Sequence, residues 1–486
     1  MTSIRCLFRI TLANLMCLLA LACVMHPCHA EDATVPALMV SDIHFDPFHA
    51  PDRGEKLLHT PEQQWGTILA PASTVKEELS FAALQLKCRA RGVDTPYPLL
   101  RASLHQMEST QRDARFMTIS GDLIAHDFSC RYQSLFPNST PQEYQNFVVK
   151  TIRFVVEQLQ ASFPGIPIYF ALGNNDTGCG DYRLDAGGTF LAQAGEVIAS
   201  ALPASQRRVA IKEFAEGGYY SVMMAAPMEN TRLIVVNDLF ESPNYVTCSG
   251  SPDPAPATAE MAWLKAQLEQ ARQHKQRVWV MGHIPPGVNP YSTIAKFKDV
   301  CGKDGPEMFL TSEKMADLLV EYADVMRLGI FAHTHMDEMR LLQPEGARPG
   351  GSLERSVVLK LVPSISPVDG NDPSFTVARV NPATALMQDY AVIAAPDRTG
   401  GGAWTREYDY AQAYHQAEYS PAALNQLIST LEDDRRGRSE ASEQYMNDYF
   451  VGKKIPELKP FWPQYACSLA NYTARGYSGC VCSQGK

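Results

Sequence analysis

The sequence predicts a layered α/β sandwich with a small helical subdomain at its C-terminal end. Three observations predict it: short apolar runs that stop abruptly at polar clusters, helical repeats of apolar residues between those runs, and a change beyond residue 405 to polar helical sequence with scattered aromatics.

Residues 37–40 lead into Ser41-Asp42, 116–119 into Gly121-Asp122 and 166–172 into Gly173-Asn174. Residues 277–281 lead into Gly282-His283, and 328–331 into His333-Thr334-His335. Apolar, β-branched runs of this length read as buried strands, with the chemistry at their C-terminal ends. Between them Phe147, Val148, Ile152, Val155, Val156 and Leu159 recur at helical spacing, as do Met261, Leu264, Leu268 and Ala271. Further strands are expected at 233–236, 357–362, 375–380 and 390–394. The core therefore alternates helix and strand and then turns strand-rich, which favours stacked layers over a single doubly wound sheet. Residues 50–100, rich in proline and polar residues around Trp65 and Cys88, read as a long insertion between the first two strands. It is either a pocket wall or a disulfide-pinned surface loop. The helical subdomain is set at 406–486, where Glu432-Asp433-Asp434-Arg435-Arg436-Gly437-Arg438 reads as a solvated helix end.

At the N-terminus Arg5 and Arg9 precede apolar residues 10–25, and Cys28-His29-Ala30 places small residues at −3 and −1 of a cleavage site. This reads as a signal peptide, 1–30, removed after Ala30, leaving 31–405 as the main domain. The run is short for a bilayer span and no second one of its length follows, so no stable transmembrane anchor is expected. Ala20-Leu21-Ala22-Cys23 matches a lipid-attachment site only loosely. Cleavage removes two arginines and no acids, taking the formal charge from −10 to −12 with histidines neutral. That sign excludes nucleic acid as an expected partner, because binding its backbone requires a basic surface. Eight cysteines remain, at 88, 130, 179, 248, 301, 467, 480 and 482. None has zinc-ribbon spacing, and an even number fits disulfides in an oxidising compartment, with Cys467 joined to Cys480 or Cys482. The expected location is therefore secreted or periplasmic.

Asp42-Ile43-His44 puts a carboxylate and an imidazole two residues apart on extended chain, where side chains point the same way and can grip one cation. Gly121-Asp122 adds a carboxylate, Gly173-Asn174 an amide oxygen, and His283, His333 and His335 three more imidazoles. Each alone has a plainer reading, as a turn, a loop residue or a hydrogen-bonded core histidine. Together they lie just past five expected strands and use four of the ten histidines that remain after cleavage. Strand ends in a layered α/β fold converge on one crevice, where such groups suit a pair of borderline cations.

The order Asp-x-His, Gly-Asp, Gly-Asn-x-Asp, Gly-His, His-x-His across residues 42–335 resembles the calcineurin-like metallophosphoesterases. Ser41-Asp42-Ile43-His44-Phe45-Asp46, His126-Asp127 after Gly121-Asp122, and Gly282-His283-Ile284-Pro285-Pro286-Gly287 look like the acid sphingomyelinase-like phosphodiesterases. So do His333-Thr334-His335-Met336-Asp337-Glu338 and Pro363-Ser364-Ile365-Ser366-Pro367. The resemblance implies an α-β-β-α sandwich in which Asp42, His44 and His335 hold one metal ion, Asn174, His283 and His333 hold another, and Asp122 bridges them. Two divalent ions roughly 3.5–4 Å apart repel, and a shared carboxylate and hydroxide screen them while the ions activate that hydroxide and clamp the phosphate. Zinc is the family expectation, and manganese or iron would suit the same ligands. Two positions depart from the pattern: Ala332 replaces a glycine, and Asn175 replaces the histidine that donates a proton to the leaving group. Gly173-Asn174-Asn175-Asp176 looks instead like vacuolar endopolyphosphatases. With an amide at 175 unable to donate a proton, His126 becomes the candidate acid; its plainer role is to hydrogen-bond its neighbours and orient Asp122.

The expected activity is thus hydrolysis of a small-molecule or lipid phosphate ester, in the manner of a sphingomyelinase-like phosphodiesterase. Polyphosphate or nucleotide phosphoanhydride hydrolysis, acid phosphomonoesterase activity, and a non-catalytic metal-binding adhesion module remain the alternatives.

Overall fold

The computed structural model describes residues 34–344, 353–399, 401–451 and 458–483. The expected signal peptide lies outside the described residues.

Twelve strands are described: β1 Val35–Val40, β2 Met117–Ser120, β3 Ile168–Ala171, β4 Tyr220–Met223, β5 Thr231–Val235 and β6 Arg277–Met281. They continue as β7 Met326–Phe331, β8 Glu338–Leu342, β9 Val357–Leu361, β10 Ser374–Asn381, β11 Leu386–Ala394 and β12 Thr405–Asp409. One sheet runs β12-β11-β10-β1-β2-β3, the other β4-β5-β6-β7-β9-β8. Side-chain alternation explains their stacking. On β5 and β6, Leu233, Val235, Trp279 and Met281 point into a core shared with β1 and β2, and Trp279 meets Phe116 edge-on. The intervening Ile234, Val278 and Val280 pack outward against the apolar stripe of the helix Ala255–Gln273 and against the helix Lys314–Glu321. The helix Pro141–Ser162 covers the first sheet with Phe147, Val148, Ile152, Val155 and Leu159, and starts at a capping box between Thr140 and Glu143.

The strands β1, β2 and β3 are mutually parallel, as are β5, β6 and β7. Their C-terminal ends therefore open on the same side of each sheet, and a site can be assembled only there.

Three features differ from the sequence reading. The unexpected strands β4, β8 and β12 all lie on sheet edges. Edge strands are short and carry polar groups: β8 buries an ion pair between Arg340 and Glu338 (3.0 Å), which breaks the apolar signal that marks a strand. Residues 50–100 are mostly helical, including Gly54–His59, Val75–Cys88 and the start of Tyr97–Gln111, and Cys88 is bonded to Cys130. Beyond 405 the chain first completes the sheet as β12 and then turns helical at Pro421–Asp433 and Glu440–Tyr449. These helices bury Leu424, Leu427, Ile428, Tyr445 and Tyr449 in the same core as both sheets. The acidic-basic run after residue 431 ends a helix as expected, and Asp434 there accepts from the backbone N–H of Arg438 and Ser439.

Among the described residues all eight cysteines are paired, as Cys88–Cys130, Cys179–Cys248, Cys301–Cys482 and Cys467–Cys480. Among the described residues no helix is long and apolar enough to cross a membrane.

Candidate active site

Every residue proposed from the strand-end pattern arrives in one crevice of about 360 Å³ or in its immediate wall. Asp42 and His44 follow β1, Asp122 follows β2, Asn174 follows β3, His283 follows β6, and His333 and His335 follow β7. The first sheet thus sends the carboxylates, the amide and one imidazole, and the second sends three imidazoles.

The turns that present them are tight and strained. Five of the seven adopt positive φ, namely Asp42 (45°), His44 (45°), Asp122 (55°), His333 (73°) and His335 (64°). Such backbone costs about 1–3 kcal/mol per residue and persists where the surroundings demand it, typically at functional sites. The glycines make room: a Cβ on Gly173 would sit 2.0 Å from Asp122 Oδ1, and one on Gly121, at φ +93°, would sit 2.8 Å from His283 Nδ1. The Ala332 methyl, in contrast, is accommodated in full burial.

Two nests of donor atoms result. In one, His44 Nε2 and His335 Nε2 lie 3.1 Å apart, with Asp42 Oδ1 at 3.7 Å and 3.4 Å from them. In the other, His283 Nε2 lies 3.2 Å from Asn174 Oδ1 and 3.3 Å from His333 Nδ1. Asp122 Oδ2 stands between the two, 3.4 Å from His44 Nε2 and 3.2 Å from His283 Nε2.

Supporting contacts aim these atoms. His44 Nδ1–H donates to the Ile124 carbonyl (3.0 Å) and His283 Nδ1–H to the Ser120 carbonyl (2.8 Å), which turns both Nε2 lone pairs inward. Asn174 Nδ2 donates to Asp181 (2.8 Å), leaving its oxygen toward His283. Asn175 donates twice to Asp122, from its backbone N–H to Oδ1 and from its side chain to Oδ2, each at 2.9 Å. Asp176 accepts from the backbone N–H of Leu123, Ile124 and Gly173, tying the loops after β2 and β3 together. Asp238 Oδ2 likewise accepts from His283 N–H (2.6 Å).

The donor set fits divalent cations. Asp42 is fully buried, yet neither carboxylate oxygen accepts a hydrogen bond, an arrangement that in the interior calls for a positive partner. Burial works against its ionisation, but His335, His44 and His283 hold its pKa down at about 2. Burial likewise opposes protonation of His44 and His283, and Asp122 chiefly overrides it, raising them to about 9 and about 10. His333 and His335 are pushed by burial down to about 3 and about 4, leaving them as neutral lone-pair donors. Burial also raises Asp176 and Asp238 to about 7, with Asp122 adding to the effect.

His126 stacks on the His44 ring, with centroids 3.8 Å apart. Its Nδ1–H donates to Asp94 (2.9 Å), and its Nε2 accepts from Arg91 Nη2 (2.9 Å) at the crevice mouth. Asp94 is itself fixed by Ser366 Oγ (3.0 Å) and by buried Arg131 (3.5 Å). Burial opposes the charge on Asp94, and His126, His44 and Arg131 override it and hold the carboxyl well below the usual range.

The sequence reading missed Asp94, Arg91, Asp181, Asp238 and Asp369. Asp238 was within reach, since it follows the apolar run 233–236 as part of Asn237-Asp238, whereas Asp94 and Arg91 lie in the segment read as an insertion. Asp176 was within reach, since it completes Gly173-Asn174-Asn175-Asp176.

A family model for calcineurin-like phosphoesterases matches residues 35–337. The chain is 24% identical over 405 residues to the cyclic GMP-AMP phosphodiesterase SMPDL3A of Mus musculus, covering 80% of this chain and 82% of that protein. It is 24% identical to sphingomyelinase phosphodiesterase C of Dictyostelium discoideum, over 68% and 70% of the two chains. It is 22% identical to the acid sphingomyelinase-like phosphodiesterase 3b of Homo sapiens, over 81% of each.

Proposed function

The chain belongs to the calcineurin-like phosphoesterase family, and from that premise we propose that it is a secreted or periplasmic two-metal phosphodiesterase of the sphingomyelinase-like kind. The observation that carries the reading is Asp122 Oδ2, within 3.4 Å of an imidazole from each nest. Asp42, His44 and His335 would hold one ion and Asn174, His283 and His333 the other, with Asp122 shared and zinc the expected metal. When bound, the two ions supply an acidified water as nucleophile and Lewis-acid stabilisation of the phosphoryl oxygens.

The remaining work falls to the chain. Asn175, through its two hydrogen bonds, fixes both oxygens of Asp122 and so sets the spacing of the two nests. Arg91, at the mouth, offers a guanidinium to the phosphate. Once Arg91 turns to that phosphate, His126 Nε2 is free to carry a proton toward the leaving oxygen, while Asp94 steadies the imidazolium through Nδ1. The four disulfides support an extracellular location.

A second reading, hydrolysis of polyphosphate or nucleotide anhydrides, is favoured by Asn175 alone, because an anhydride leaving group departs with less need of an acid. A panel of sphingomyelin, bis-nitrophenyl phosphate, nucleoside triphosphates and polyphosphate on the metal-replete protein tests both. Turnover of the diesters supports the first reading. Turnover confined to the anhydrides supports the second.

A further inference from the structure

Beside the crevice lies a second cavity of about 610 Å³, and His333, Arg91 and Asp369 line both. Past these three residues the character of the wall changes. One side is the helix Pro290–Ala295 with Tyr291 and Ile294; the other is Tyr449 and Phe450 from the C-terminal segment; Phe309 and Met336 close the inner end. At the rim Phe297 is 91% exposed and Phe461 41% exposed, which extends the apolar lining to the surface.

We propose that this chamber is a substrate subsite that takes an alkyl substituent esterified to the phosphate under attack. The inference rests on the phosphodiesterase reading above and names the class of substrate that reading leaves open. Continuity comes first: a group leaving the phosphate on the His333 side enters the chamber directly, with no polar barrier after the Arg91–Asp369 pair (3.4 Å). The second argument separates an alkyl chain from a nucleobase. A base must satisfy several edge donors and acceptors on burial, and the chamber offers few: Thr334 Oγ1 is buried there without a partner. Asn289 Oδ1 is committed to capping its helix through Ser292 N–H, and the hydroxyls of Tyr291 and Tyr449 are bonded to each other. An alkyl chain asks for none of these. Finally, the two walls are about 150 residues apart in sequence and meet through the stacked rings of Tyr291 and Tyr449, while Cys301–Cys482, outside the chamber, ties the segment after Ile294 to the C-terminal helix Ala474–Ser483. The chamber is thus a built feature of the fold.

The test uses matched nitrophenyl diesters whose second substituent is methyl, hexyl or thymidine, so that the leaving group never changes. For the metal-replete full-length mature protein, kcat/KM for the hexyl ester should exceed that for the methyl ester by at least about tenfold, since each buried methylene is worth roughly a few-fold. Ile294→Glu and Phe461→Glu, on opposite walls, should each bring the hexyl/methyl ratio toward one, and agreement between them rules out a local folding defect. A ratio near one in the unaltered protein, a ratio unmoved by both variants, or a preference for thymidine over hexyl would overturn the subsite. Hydrolysis of the methyl ester without preference sinks this inference alone; hydrolysis of none of the three sinks the phosphodiesterase reading with it.

Discussion

The crevice and the chamber share His333, Arg91 and Asp369, yet they are held in place by different means. In the crevice every donor atom sits two to four residues beyond a buried parallel strand, and backbone carbonyls, backbone N–H groups and buried carboxylates fix its orientation. In the chamber the walls are a six-residue helix and a distant C-terminal segment, joined by contacts among aromatic rings, with a disulfide nearby. The rigid sheet ends keep catalytic geometry to within tenths of an ångström, which reaction chemistry demands. The chamber walls can vary in sequence without disturbing it, which suits substrate choice. Chemistry and selectivity should therefore be separable by mutation.

The largest effect should come from the centre of the crevice. Asp122→Asn removes the charge shared by both nests and is expected to bring turnover of every diester below detection; retention of near-normal kcat would show that the nests work independently. His126→Ala should cost about 10²–10⁴-fold on esters with alkyl leaving groups while sparing a nitrophenolate, which departs without a proton. Equal losses on both leaving groups, or loss of metal, would reduce His126 to a supporting contact for His44. Asn175→Ala, which deletes one of two hydrogen bonds to Asp122, should lower metal affinity or kcat about 10–100-fold, and an unchanged metal titration would contradict its positioning role. The smallest effect belongs to the disulfide near the chamber. Cys301→Ser combined with Cys482→Ser should lower stability by about 2–4 kcal/mol in thermal unfolding and shrink the hexyl preference severalfold, with the methyl ester turned over at a rate close to that of the unaltered protein. A fall in methyl-ester turnover as large as that in hexyl turnover would mean the two regions are coupled.

The same contrast explains what could be read from the sequence. Asp42, His44, Asp122, Asn174, His283, His333 and His335 were legible because a buried parallel strand must be apolar along its length and can turn polar only at its end. The converging geometry follows from that rule. Nine strands were legible from their apolar runs, the antiparallel β10 and β11 included, while the edges β4, β8 and β12 were not, since these carry Ser221, Arg340 and Glu407 among their residues. Asp94 and Arg91 escaped notice because their importance comes from long-range contacts with His126, made by the short connection between the helices Val75–Cys88 and Tyr97–Gln111, which has no periodic link to the crevice. The chamber was illegible throughout: its apolar residues are scattered and distant in sequence, and look like ordinary core until the fold brings Tyr291 against Tyr449. Of the cysteine pairs only Cys467–Cys480, separated by 13 residues, was near enough to guess.

The central claim is that one crevice holds two ions that share Asp122, and elemental analysis of the purified, metal-replete mature protein tests it most directly. About two transition-metal ions per chain are expected. A stoichiometry of one ion or none would contradict it.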